Sequence, residues 1–243
     1  MDLTFALLGL VVLTAFTIEA TAGFGSIIIS VAVASHLYSI SELLPVLVPL
    51  NFIIAIYMVT RHRGHVAGKL IAYRVLPFMC AGVAVGVAIT YVLEGQELKF
   101  GFGVLIIVLA LTELYKLYMS VEVAHRPWTW VNAVYVKAAG VIHGIYATGG
   151  PLLVYSLSRT ELPKTTLRST LATIWLIFDI ILTTTFIVQG RINETTLSRI
   201  AILAPVVVLS IVLGEWLHHR ISEKPFKKMI YLLLLGAGAS ILI

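Results

Sequence analysis

The stretch GIYATGGPLLVYSLSR, Gly144–Arg159, is apolar enough to lie in a membrane and yet carries Thr-Gly-Gly-Pro in its interior. An earlier stretch, EATAGFGSIIISVAVA, Glu19–Ala34, repeats the pattern: a small-residue, glycine-rich break followed by an apolar run. Lipid satisfies no backbone N–H or C=O. Irregular backbone at membrane depth therefore survives only where protein buries it or where it lines a wet cavity. Two such breaks predict two interrupted helices whose freed backbone is put to use.

The rest of the chain agrees with a membrane setting. Of 243 residues, 59% are hydrophobic and 12% charged, with a mean hydropathy of +1.00. A soluble domain needs more charge on its outer faces, so the expected class is an all-α polytopic membrane protein. Continuous apolar runs of about 20 residues suit spanning helices, whereas barrel strands would alternate. The runs fall near 4–36, 43–60, 70–92, 98–119, 130–158, 168–189, 197–217 and 227–243, about eight segments with short loops. The N-terminal run has Asp2 and no Lys or Arg before its apolar core, unlike a signal peptide, and is read as a retained membrane segment. The formal net charge of +5 sits in loops and is read as topology charge, with no nucleic-acid partner expected. Cys80 is the single cysteine, no metal-ligand spacing occurs, and adjacent His218 and His219 read as a solvated basic patch; no cofactor or metal is expected.

Loop charge sets the orientation. Arg61, Arg63, Lys69 and Arg74 place loop 61–74 in the cytoplasm, and Arg159, Lys164 and Arg168, like Arg220, Lys224, Lys227 and Lys228, ask for the same side. Eight plain crossings cannot satisfy all three loops. The conflict disappears if segment five, with its central TGGP, enters and returns on one side; loop 120–127 then also lies inside. Segment one is long enough to be two half-helices around GFGS. Each half is then one broken segment plus three crossings, and three is odd, so the halves are an inverted repeat: 1–120 with a break at 22–26, and 128–243 with a break at 147–151. RHRGHV near Arg61 parallels VQGRIN near Arg191, and LPF at Leu76–Phe78 parallels APV at Ala204–Val206.

Each break creates a helix N-terminus inside the bundle. Gly23, Gly25, Gly149 and Gly150 permit unusual backbone angles, Pro151 suits a first helical turn, and Ser26 and Thr148 can cap freed amides. The orphan N–H groups carry about half an elementary charge per helix, and two such ends facing one another make a site for an anion. Against this stands plain glycine-mediated helix packing; two breaks at matching places favour the site. The expected substrate-binding residues are Gly23, Phe24, Gly25, Ser26, Asn51, His143, Thr148, Gly149, Gly150 and Pro151. Asn51 and Asp179 occupy similar places in the two halves and are expected to flank the anion and bond the broken backbone. A carboxylate beside an anion repels it, so Asp179, Glu19 and His143 are read as carriers of a coupled proton, against the plainer reading of structural groups with hydrogen-bond partners.

These residues resemble the TauE/SafE sulfite exporter family. The match is carried by GIYATGGPLLVYSLSR, by the RHRGHV turn after segment two, and by the length and duplication of the chain. The first-half motif, Gly23-Phe24-Gly25-Ser26, departs from a Gly-Gly-Gly pattern. The resemblance implies movement of small sulfur-containing anions such as sulfite or organosulfonates.

The function expected from these readings is a secondary transporter of small anions working by alternating access, in a prokaryotic inner membrane, with lipid as its surroundings and homodimer formation allowed. An anion channel of the same architecture needs the same site. An intramembrane enzyme would need a pair such as His143–Ser26 or His143–Ser156, and no catalytic signature accompanies either.

Overall fold

The computed structural model describes residues 3–61, 66–93, 95–119, 128–158, 160, 162–218, 220 and 223–242. Loop 120–127, with His62, Arg63, Arg159 and His219, lies outside the described residues, and so do the side chains of Lys164, Arg168, Lys224 and Lys227. The described residues are all helical between their turns. The helices are α1 (Leu3–Ala22), α2 (Ser26–Ala34), α3 (Ile40–Arg61), α4 (Gly68–Ile89), α5 (Gly95–Met119), α6 (Trp130–Tyr146), α7 (Gly150–Ser158), α8 (Lys164–Val188), α9 (Glu194–His218) and α10 (Glu223–Leu242). Six of them contain a stretch long and apolar enough to cross a membrane: α1, α3, α4, α5, α8 and α9. Their outward faces are rich in Leu, Val and Ile, among them Val208, Leu209 and Val212 on α9, as a lipid-facing surface requires.

Both breaks fall where glycine and proline predict them. Backbone leaves the helix after Ala22, where Gly23 (φ 88°) and Gly25 (φ 114°) take left-handed angles, and again at Ala147 (φ 53°), a non-glycine residue in that region. The arms are unequal. α1 has 20 residues and α2 has nine; α6 has 17 and α7 has nine. α6 and α7 fold back on one another. Asn132 Nδ2 donates to the Ser156 carbonyl at 3.0 Å, and the rings of Tyr135 and Tyr155 lie 4.8 Å apart.

The four most extensive packings are α4 on α6, α1 on α9, α5 on α10 and α3 on α8. The first depends on glycine. Gly82 and Gly86 on α4 meet Gly140 and Gly144 on α6, and a Cβ at Gly82 would sit 2.2 Å from the Lys137 carbonyl oxygen. Such four-residue glycine spacing lets helix backbones touch. The α1–α9 contact is also parallel: Ser210 Oγ donates to the Leu13 carbonyl at 3.1 Å, and Thr21 Oγ to the Gly214 carbonyl at 3.2 Å. By contrast α3 and α8 run antiparallel, since Arg191 after α8 reaches Ser41, while Asn51 meets Asp179.

Prolines perturb two helices. α4 holds a π-turn at Ile71–Val75, where the Leu76 N–H reaches the Ile71 carbonyl just ahead of Pro77. α3 carries Pro45 and Pro49, which lack N–H groups and free the carbonyls four residues earlier, at Ser41 and Pro45.

Candidate functional site at the paired breaks

The two breaks meet. A Cβ built at Gly150 would lie 4.0 Å from Phe24 Cβ. Between them is a cavity of about 30 Å³, lined by Glu19, Phe24, Gly25, Asn51, His143 and the run Ala147–Pro151, with Ile27, Ile28 and Trp175 closing it. That is room for about two water molecules.

Helix termini dominate its chemistry. Ser26 is the first residue of α2, and its N–H donates to Glu19 Oε2 at 2.7 Å; the Ile29 N–H takes the Gly25 carbonyl at 3.1 Å. The amides of Ile27 and Ile28 are left over from the first turn. At α7 the Leu153 N–H takes the Gly149 carbonyl at 3.2 Å and Pro151 has no N–H, which leaves the amides of Gly150 and Leu152. The first cap is not the expected one. Glu19, not Ser26, caps α2, because the αL turn at Gly23 and Gly25 folds the end of α1 back beside the start of α2. The Thr148 hydroxyl, the other expected cap, has no hydrogen-bond partner among the described residues; Thr148 forms part of the cavity wall.

A buried polar chain runs sideways from the first break. Ser26 Oγ donates to Asn51 Oδ1 at 3.0 Å, and Asn51 Nδ2 donates to Asp179 Oδ2 at 3.0 Å. Glu19, Ser26, Asn51 and Asp179 are all buried, Ser26 and Asp179 completely. Asn51 thus lines the cavity as expected and bonds the Ser26 side chain rather than broken backbone. Asp179 stands behind it, outside the lining, with Oδ1 unpartnered. Gly23 and Ser26 also lie outside the lining; Gly23 shapes the turn and Ser26 joins Glu19 to Asn51.

His143 comes from the last turn of α6. Neither ring nitrogen has a partner among the described residues, and the ring stacks on Trp175 at 5.8 Å and meets the Phe178 edge at 5.8 Å. It pairs with neither serine once considered for a nucleophile: Ser26 is held by Asn51, and Ser156 sits beside Asn132. Sequence reasoning passed over four lining residues, Ile27, Ile28, Ala147 and Trp175, of which Trp175, with a buried Nε1 that also lacks a partner among the described residues, is the one with a polar group to offer. Its place four residues before Asp179, on the same face of α8, was the available signal.

Gly149 and Gly150 do different work. A Cβ at Gly149 would lie 2.2 Å from the Ala139 carbonyl oxygen, so this glycine lets α7 start against α6. At Gly150 the nearest atoms are 3.7 Å away, on Trp175, so its missing side chain leaves cavity space.

A protein of Cupriavidus necator described as a probable sulfite/organosulfonate exporter TauE is 24% identical over 104 residues. The match covers 43% of this chain and 41% of that protein, so it spans less than half of either. No solved structure matches the chain. The sulfite exporter TauE/SafE family matches residues 7–241, nearly the whole length, and the chain belongs to that family.

Proposed function

We propose that the protein is a secondary transporter of small anions, sulfite or organosulfonates, which bind at the paired breaks. The observation that carries this reading is the convergence of two helix N-termini on one cavity. Three amides left over from the two first turns, at Ile27, Ile28 and Gly150, border it. Backbone donors and helix dipoles favour negative charge there, and the His143 and Trp175 N–H groups add donors without competing partners.

The cavity is too tight for a sulfonate, so it must widen to load. We read the chain as an inverted repeat, α1–α5 and α6–α10, in a prokaryotic inner membrane. Exchanging the halves turns the α1–α9 contact into α6–α4 and leaves α3–α8 and α5–α10 unchanged, so the four largest packings respect a two-fold relation. Such a scaffold supports rocking of one half against the other around a fixed site.

Glu19 complicates a pure anion site, because its carboxyl group already occupies one amide of α2. In the proposed cycle a proton accompanies the anion and neutralises the Glu19–Ser26–Asn51–Asp179 chain while the site is loaded. Asp179 holds that proton away from the substrate, behind Asn51.

The test is flux of sulfite and methanesulfonate in proteoliposomes with and without a pH gradient, wild type beside Asp179→Asn. The expected result is gradient-driven flux that the variant loses while downhill exchange survives. Flux indifferent to the gradient in both proteins would remove the proton from the scheme. No anion flux in folded wild-type protein would remove the transport reading.

A further inference from the structure

At the end of the bundle opposite Arg61, Lys69 and Arg74 lies a larger cavity, of about 500 Å³. Its walls are the start of α3, the ends of α4 and α6, and the last turn of α8 with the turn that follows it. By the charge rule this is the outer side. Gly144 and Ile145 form part of its floor and directly follow His143, which lines the central cavity.

Arg191 lines this cavity half-buried. Its Nη2 donates to the Ser41 carbonyl at 2.5 Å, the acceptor that Pro45 leaves free. Its Nη1 donates to Gln189 Oε1 at 3.4 Å, and the guanidinium carbon lies 4.7 Å from the centre of the Phe186 ring. All these partners are neutral, and no carboxylate among the described residues forms an ion pair with it. Burial pushes the guanidinium below its ordinary range, with the Tyr91 phenol pulling the other way. A cation has thus shed part of its water without gaining an anion.

The neighbouring bonds have a fixed sense. Arginine offers only donors, so Gln189 must turn its oxygen to Arg191 and its amide nitrogen to the Tyr91 hydroxyl oxygen, 2.7 Å away. The Tyr91 proton is then free to donate in its turn. Three of the five guanidinium N–H groups remain unused, and both ends of the relay present donors.

We propose that this cavity is a second anion subsite at the outer mouth, where the Arg191 guanidinium and the Tyr91 hydroxyl hold a small oxyanion between bulk solution and the central cavity. The assignment rests on the transport reading for its purpose, though not for its chemistry. A guanidinium fork matches two oxygens of one sulfonate, which an ammonium cannot do.

Thr90 lines the same cavity and serves as a reporter. A Cys80→Ser/Thr90→Cys protein is labelled from outside with a membrane-impermeant maleimide. Methanesulfonate at about ten times its dissociation constant should slow labelling about tenfold, the uncharged dimethyl sulfone should not, and sulfate-free buffers of equal ionic strength keep screening constant. Adding Arg191→Gln should abolish the protection, each protein's rate being compared with its own anion-free rate, since a nearby cation also tunes the thiolate; Arg191→Lys, which keeps the charge and loses the fork, should retain part of it. Equal rates with and without methanesulfonate, equal protection by dimethyl sulfone, or protection that survives Arg191→Gln would each overturn the subsite. Flux measured on the same protein separates the two ideas. Protection without flux keeps the subsite and ends the transport reading; flux without protection does the reverse.

Discussion

Asn51 is the joint of the buried polar chain, and its two ends face partners that fix its orientation. Its oxygen accepts from Ser26 and its nitrogen donates to Asp179. Asn51→Leu leaves a buried hydroxyl and a buried carboxyl without that partner, a loss of about 2–6 kcal/mol when each group costs about 1–3. Titration with a denaturing detergent should place the unfolding midpoint of the variant well below wild type; an unchanged midpoint would mean that water already serves both groups. Glu19 divides into two functions in the same way. Glu19→Gln keeps an acceptor for the Ser26 amide and removes the charge, whereas Glu19→Ala removes both. The first should unfold near wild type, and the second should lose about 1–2 kcal/mol, the usual worth of a helix cap. Equal losses in both would show that charge, not capping, is what Glu19 contributes to stability.

Among the helices, the glycines sort by what a methyl group would meet. At Gly82 it meets backbone of α6 at 2.2 Å, and neither helix can yield without losing the contact. Gly82→Ala should destabilise by about 1–3 kcal/mol, as overpacking does. Gly236, inside α10, has nothing within 4 Å, and Gly236→Ala should be neutral or gain up to about 1 kcal/mol from helix propensity. Similar behaviour of the two variants in the same detergent titration would count against the tight α4–α6 crossing. The same sorting bears on the site. Gly149 substitutions disturb α6–α7 packing and report on folding, while Gly150→Ala reports on the space in the cavity.

For the molecule as a whole, the contact between the breaks offers a lock. The 4.0 Å separation between Phe24 Cβ and a Cβ at Gly150 suits a disulfide. In a Cys80→Ser background, Phe24→Cys with Gly150→Cys should cross-link under mild oxidation, stop anion flux, and recover it on reduction. Cross-linking with undiminished flux would mean that the two breaks move as one body, and would rule out rocking of one half against the other at this point.

Much of this was legible before folding was considered. A 59% hydrophobic chain must put its helices in lipid, and backbone breaks in lipid must be buried or useful, so composition with Gly23, Gly25, Gly149 and Gly150 led to broken helices and to the neighbourhood of the site. Those are local consequences of hydrophobicity and backbone sterics, which a sequence states directly. Partnerships across the bundle are another matter. Glu19 rather than Ser26 caps α2, Asp179 stands behind Asn51 instead of beside the cavity, Trp175 closes it, and Gly149 serves packing while Gly150 leaves space. Each depends on which atoms lie within about 4 Å across helices far apart in the chain, the range over which hydrogen bonds and van der Waals contacts act, and that proximity exists only once the helices have packed.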